Sequence, residues 1–134
     1  VTGPYLIQNA INNAQTIMAY ATDTGGVYYM KRATINDSWS SAILLENSSP
    51  DYYSVCMNAT GYRLVLCTNK VAKTYLWNGS NYAFQGIIAS PANSLNFIAS
   101  CKMSQSGSVI VFNDLTGYIY CATWNNITNN FNQP

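Results

Sequence analysis

Three stretches of the chain say nearly the same thing. Tyr53–Cys67, then a turn, then Thr74–Trp77, is matched by Phe97–Phe112, a turn, Tyr118–Tyr120 and Trp124. Gly61 and Gly107 lie 46 residues apart, and Trp77 and Trp124 lie 47 apart. The N-terminal third follows with less fidelity through Leu6–Ile11, Thr16–Tyr20, Val27–Met30 and Trp39. Prolines at 4, 50, 91 and 134 punctuate the copies, at about 4–49, 50–90 and 91–134. A period of roughly 40–50 residues marks a repeat architecture, in which each copy is one supersecondary unit that buries its faces only against neighbours.

Within each copy the local signal is strand. The middle copy reads as Tyr52–Met57, Tyr62–Thr68, Lys73–Trp77 and Ala83–Ile88, short runs rich in β-branched and aromatic residues. Turns are expected at Ala59–Gly61, Asn69–Val71 and Asn78-Gly79, the last a pair suited to a type I′ hairpin. The third copy leaves only Phe131–Pro134 for its fourth strand. The fold class is therefore all-β, one domain of three tandem four-stranded antiparallel repeats, which is the make-up of a β-propeller blade. The segment Ile98–Ser100, Ser106-Gly107, Gly117–Tyr120 and Trp124 resembles the blade signature of sialidase-type, Asp-box-related propeller repeats. The middle copy keeps Gly61, Tyr75 and Trp77, whereas no copy holds the full Asp-box; Asn36–Trp39 and Trp77–Gly79 stand in that region. The resemblance implies blade architecture and nothing catalytic. Propellers typically close with four to eight blades, so three leave open faces and call for further blades. The rival is a β-trefoil, which closes with three repeats but for which no recurring Gln-x-Trp pattern is found.

Composition limits the partners. Of 134 residues 8% are charged, about a third of the usual share, and the net charge is +1. With six cations and no basic run there is no footprint for nucleic acid. No apolar run reaches the roughly 20 residues that a helical membrane span needs. A neutral surface of Asn, Ser, Thr and Tyr points to an extracellular, secreted setting. The start at Val1 fits a processed chain or a piece of a longer one.

Catalysis is not expected. There is no His, which removes the commonest general base, the commonest metal ligand and any Ser–His or Cys–His pair. A sialidase-like reaction would need several arginines around a carboxylate, yet only Arg32 and Arg63 exist and they fall at different points of their repeats. Asp23 and Asp114 align with one another before the third strand and read as turn formers. No metal-ligand spacing and no phosphate-cradling loop occurs, so neither metal nor cofactor is expected.

Three sets of residues remain. Sequons at Asn36, Asn47, Asn58, Asn78 and Asn126 are candidate N-glycosylation sites, with Asn36, Asn78 and Asn126 at one point of their repeats, the turn after the third strand. Asn is also a common turn residue in its own right. Cys56 and Cys67 flank Gly61 almost symmetrically. In a hairpin centred there they would face each other, close enough for a cross-strand disulfide if they form a non-hydrogen-bonded pair. The alternative is small buried thiols of the kind common in strands. Cys101 aligns with Cys56. Trp39, Trp77 and Trp124, with Tyr82, either pack within the blades or stack on sugars. Two functions follow. The first is a non-enzymatic extracellular glycoprotein that self-assembles, with Leu6–Ile11 and Phe131–Pro134 as junction elements, into a fibre, coat or closed propeller of its own copies. The second is a lectin for neutral sugars that gains avidity from repeated weak sites.

Overall fold

The computed structural model describes residues 6–23, 26–47, 54–68, 71–88, 98–114 and 116–132. Twelve strands run in chain order: β1 (Leu6–Ile11), β2 (Ile17–Thr22), β3 (Gly26–Lys31), β4 (Ile43–Asn47), β5 (Ser54–Met57), β6 (Arg63–Cys67), β7 (Ala72–Trp77), β8 (Tyr82–Ile88), β9 (Ile98–Met103), β10 (Val109–Asp114), β11 (Ile119–Asn125) and β12 (Asn130–Phe131). They form three sheets of four, each paired strictly in sequence order and antiparallel: β1–β4, β5–β8 and β9–β12, called blades 1, 2 and 3. The four-strand expectation holds in every copy, and the short last strand is the two-residue β12. Of the expected final segment Phe131–Pro134, residues 133 and 134 lie outside the described residues.

The hairpin that opens each blade repeats with a strict 46-residue period, including the first copy. Asn12, Asn58 and Ser104 each accept from the backbone N–H five residues on, of Ile17, Arg63 and Val109, at 3.0, 2.9 and 3.1 Å. Three residues past that acceptor the chain turns with positive φ, at Gln15 (55°), Gly61 (77°) and Gly107 (75°). Glycine adopts this region without steric cost, whereas Gln15 pays for it. Blade 1 thus carries the same turn as the other two, hidden because its left-handed residue is not Gly.

Register corrects three sequence alignments. The backbone N–H groups of Arg32, Trp77 and Trp124 donate to Thr16, Tyr62 and Ser108, so Arg32 and not Trp39 occupies the third-strand tryptophan position in blade 1. Cys101 pairs with Phe112 as Val55 pairs with Leu66; it therefore corresponds to Val55 rather than Cys56 and points to the other sheet face. In the middle hairpin Cys56 lies opposite Val65 and Cys67 opposite Ser54. The two thiols are diagonal neighbours, roughly 7–8 Å between Cα atoms, beyond ordinary disulfide reach, and both are free. The expected Cys56–Cys67 face-off is replaced by this offset. The Asn78-Gly79 turn differs as well: only Gly79 has positive φ (99°). The loop is longer, closed by Asn78 N–H on Asn81 O, with Asn78 Oδ1 accepting from Ser80 and Asn81 N–H at 2.9 Å each.

The core lies between the blades. Alternation sends Val55, Leu64, Leu66 and Tyr75 of blade 2 toward Ala19, Ala21, Val27 and Tyr29 of blade 1. It sends Cys56, Val65, Cys67 and Ile88 toward Cys101, Ile110, Phe112 and Phe131 of blade 3. Leu64 and Leu66 are fully buried, which is worth about 2–3 kcal/mol each against exposure. Polar contacts key the seams. Glu46 of β4 forms an ion pair with Lys73 of β7 and accepts from Tyr75 Oη at 2.7 Å. Thr74 Oγ1 donates to Asn130 Oδ1 at 2.7 Å, and Asn130 Nδ2 donates to Ile87 O at 3.1 Å. A Cβ on Gly86 would lie 2.8 Å from that same nitrogen, so glycine makes room for the contact.

Candidate functional site

At the seam of blades 1 and 2 a pocket of about 490 Å3 is lined by Thr16, Lys31, Arg32, Ser38, Ser40 and Trp77 among others. Lys31 is the last residue of β3, Arg32 follows it directly, and both line the pocket. Lys31 Nζ sits 5.6 Å from the Trp77 ring centre and donates to Ser80 O. The Arg32 guanidinium lies 4.3 Å from the Trp39 ring centre, and its Nε donates to Gln15 O at 2.8 Å. Among the described residues the salt bridge is Lys73–Glu46, so neither pocket cation has a carboxylate partner there. The pocket offers hydroxyls, two cations and part of one indole. Sequence reasoning missed the two cations, although a Lys-Arg pair at the end of a strand was the available signal.

The tryptophans do not form a repeated exposed platform. Trp39 lies under Arg32, Trp77 under Lys31, and Trp124 under Arg63, whose guanidinium carbon is 3.8 Å from its ring centre. Trp77 also meets Tyr29 and Tyr82 edge-on at 6.1 and 5.1 Å, and Trp124 meets Phe131 at 5.2 Å. Tyr82 is buried; its hydroxyl donates to Gly61 O at 2.6 Å and burial raises its pKa. That removes Tyr82 from any sugar-stacking role. Desolvation lowers the Arg63 pKa, and its Nε is buried without a hydrogen-bond partner, its charge being met by the indole face and by Gly107 O at 3.0 Å.

Of the sequons, Asn36, Asn78 and Asn126 are exposed, and all three stand on the loop between third and fourth strands of their blades. Asn47, the last residue of β4, is also exposed. Asn58 differs. It is 5% exposed, its Oδ1 accepts from Arg63 N–H and its Nδ2 donates to Thr60 Oγ1 at 3.1 Å. A glycan on Nδ2 has no room there, because this side chain builds the hairpin turn; the expectation for Asn58 is corrected. Asp114 is the turn former that the sequence implied. Its carboxylate accepts from Thr116 Oγ1 at 2.7 Å, Thr116 N–H at 2.9 Å and Tyr118 N–H at 3.0 Å. The Thr116 hydroxyl above all, with these backbone donors, holds its pKa below the usual carboxylate value. Among the described residues no group of His, Cys, Asp or Glu is placed to hold a metal ion, and no helix is long and apolar enough to cross a membrane.

The two ends of the blade stack are its most distinctive surfaces. In blade 2, Leu64, Leu66 and Tyr75 are buried against the preceding blade; in blade 3, Ile110 and Phe112 are. The equivalent positions in blade 1 are Met18, Tyr20 and Met30, which are half-buried and face away from blade 2. Tyr20 stacks on Tyr28 with ring centres 5.7 Å apart, and Leu44, cross-strand from Tyr28, is 51% exposed. At the other end, Val111, Ile119 and Cys121 are exposed at the positions where blade 2 buries Val65, Ala72 and Thr74. A backbone ladder links the opening hairpins across the stack: Asn13 N–H donates to Ala59 O at 2.8 Å, and Ala59 N–H donates to Gln105 O at 2.9 Å. The next donor in the series is Gln105 N–H; the acceptor at the opposite end is Asn13 O.

Comparison with known proteins bears on the fold. No family model matches the chain, and no curated protein matches it. Solved structures do. A functionally unknown protein from Desulfotomaculum acetoxidans superposes with a TM-score of 0.74 at 10% identity, over 96% of this chain and 41% of that one. A putative 6-phosphogluconolactonase from Bacteroides uniformis gives 0.69 at 11% identity, over 96% and 39%. Hsv2p of Kluyveromyces lactis gives 0.63 at 13% identity, over 90% and 38%. At such identity the likeness concerns the fold alone. The chain spans about two fifths of the length of these structures, which are seven-bladed β-propellers. Strand order, sheet number and superposition agree: this chain has the fold of part of a β-propeller, three consecutive four-stranded blades with an open face at each end.

Proposed function

We propose that the chain is a non-enzymatic building block that completes its propeller with copies of itself, the open face of blade 3 packing on the open face of blade 1 of the next copy. The observation that carries this reading is positional. Met18, Tyr20 and Met30 stand where the other blades hold residues buried against a predecessor, and Val111, Ile119 and Cys121 stand where they hold residues buried against a successor. Each end is half of a junction that the chain makes twice internally. Gln105 N–H and Asn13 O would extend the backbone ladder across it. A head-to-tail junction that closes gives a ring, and one that does not gives a filament.

Single-face variants test this. Tyr20→Glu spoils one face and Val111→Glu the other. Multi-angle scattering is expected to show oligomers for the parent chain, monomers for each variant alone, and a one-to-one dimer when the variants are mixed, since one intact junction remains between them. A parent chain that stays a compact monomer at every concentration overturns the proposal.

The setting we propose is extracellular, with N-glycans on Asn36, Asn78 and Asn126. Their shared loop position and exposure support the glycans. Secretion from a eukaryotic host followed by glycosidase treatment checks it; no mobility change would reject it. Kinship with sialidase-type repeats rests on the Gly61, Gly107, Trp77 and Trp124 pattern. A second reading, lectin-like binding, draws on the blade 1–blade 2 pocket beside Trp77, and a glycan array comparing the parent chain with Lys31→Ala tests it.

A further inference from the structure

Three of the four cysteines meet at the seam of blades 2 and 3. Cys56 on β5 and Cys67 on β6 project from the same face of blade 2, and Cys101 on β9 projects to meet them; all three are buried. Ser54, opposite Cys67 in the register, places Cys101 between them: Ser54 Oγ accepts from Cys101 N–H at 3.0 Å and lies 3.5 Å from Cys101 Sγ. The Cys56 and Cys67 side chains pack with Cys101 in one buried cluster. Cys56 and Cys67 are offset diagonally within their own sheet, so the sulfur they share is the one from the neighbouring blade.

We propose that Cys101 is the obligatory half of a disulfide that joins blade 3 to blade 2, with Cys67 or Cys56 as the other half. The chemistry is thiol–disulfide exchange with a small-molecule disulfide such as oxidised glutathione. The Cys101 thiolate attacks one glutathione sulfur, forming a mixed disulfide and releasing one glutathione thiolate. The second cysteine, as its thiolate, then attacks the Cys101 sulfur and releases the other glutathione. One S–S bond forms and one breaks, two electrons pass to glutathione, and the two cysteine protons end on its thiols. Because the seam is closed in the folded chain, the exchange takes place as blades 2 and 3 come together during folding. The remaining buried thiol sits beside the bridge, so the pairing can shift between Cys56 and Cys67 without Cys101 leaving it.

The sequence makes the test direct, because trypsin places each cysteine on its own peptide: Cys56 on 33–63, Cys67 on 64–70, Cys101 on 74–102 and Cys121 on 103–134. The full chain is refolded from reductant in a glutathione redox buffer, capped with an alkylating agent, freed of any N-glycan and mapped by mass spectrometry without reduction. The expected result is 74–102 joined to 64–70 or to 33–63, a species lost on reduction. The bridged form is expected to melt roughly 10 °C above the reduced one. Cys121→Ser should leave both results unchanged, and Cys101→Ser should abolish both. A link between 33–63 and 64–70, links through 103–134 alone, or Cys101 recovered wholly alkylated would each overturn the proposal. Since the mapping uses the parent chain, a Cys101→Ser variant that fails to fold does not weaken it.

Discussion

The guanidinium carbon of Arg63 in blade 2 lies 3.8 Å from the ring centre of Trp124 in blade 3. The same side chain reaches Gly107 O, in the hairpin that opens blade 3, and its methylene stem packs where a Cβ on Gly107 would come within 3.0 Å. One residue thus ties blade 2 to two elements of its successor. Lys31 does the same between blades 1 and 2 through Trp77 and Ser80.

Removing that tie should be felt as stability. Arg63→Ala is expected to cost about 2–3 kcal/mol, from a cation–π contact worth about 0.5–2 kcal/mol and a charged hydrogen bond of about 1.5–3 kcal/mol, part of which water restores. Arg63→Lys keeps the charge but not the planar fork, and should fall between. Urea denaturation reads both; an Arg63→Ala midpoint equal to that of the parent chain would show the seam indifferent to this contact.

The left-handed turn makes opposite predictions at equivalent positions. Gln15→Gly should stabilise by about 0.5–1 kcal/mol, because it relieves a non-glycine residue held at φ 55°. Gly107→Ala should destabilise by about 1–3 kcal/mol, since its φ is 75° and the new Cβ meets Asn58 Cβ and Arg63 Cδ at 3.0 Å. Thermal melting of the two variants side by side tests the 46-residue equivalence itself.

Leu66 and Tyr20 occupy matching places in blades 2 and 1, one fully buried and the other half-exposed. Leu66→Ala is expected to cost about 2–5 kcal/mol through the cavity it leaves. Tyr20→Glu should change the unfolding free energy of dilute monomer by less than about 1 kcal/mol while abolishing association. A Tyr20→Glu chain as unstable as Leu66→Ala would mean that the blade 1 face is already satisfied within the chain.

Asp114 sets a pH dependence whose sign follows from its hydrogen bonds. Its folded pKa lies below the unfolded value of about 3.9. Its stabilising contribution is therefore fully present above that unfolded value and is lost as pH falls through the lower folded one. The melting-temperature gap between the parent chain and Asp114→Asn should be constant near neutrality and should narrow as pH drops below about 4. A gap that widens on acidification would contradict this assignment.

Strand content, four strands per copy, the Gly61 and Gly107 turns and the open arithmetic of three blades were all written in local sequence. Each rests on alternation and turn chemistry among residues a few positions apart, and hairpin pairing carries those signals directly into structure. The first copy's turn at Gln15 escaped notice because its signal is a side-chain acceptor, Asn12, and not a glycine. What lay beyond sequence was anything decided by one residue of register or by the neighbouring blade. Strand side chains alternate with period two, so placing Cys101 beside Val55 instead of Cys56 turns it to the opposite face and into contact with two thiols from another blade. The cations over Trp77 and Trp124 come from strands 46 and 61 residues earlier, and no local pattern encodes that approach. The sequence by itself determined that the chain is made of blades and that three of them are present. Only the tertiary structure decided which face of each blade meets which neighbour, because packing between sheets is set by side chains that are distant in the chain and adjacent only once the blades have stacked.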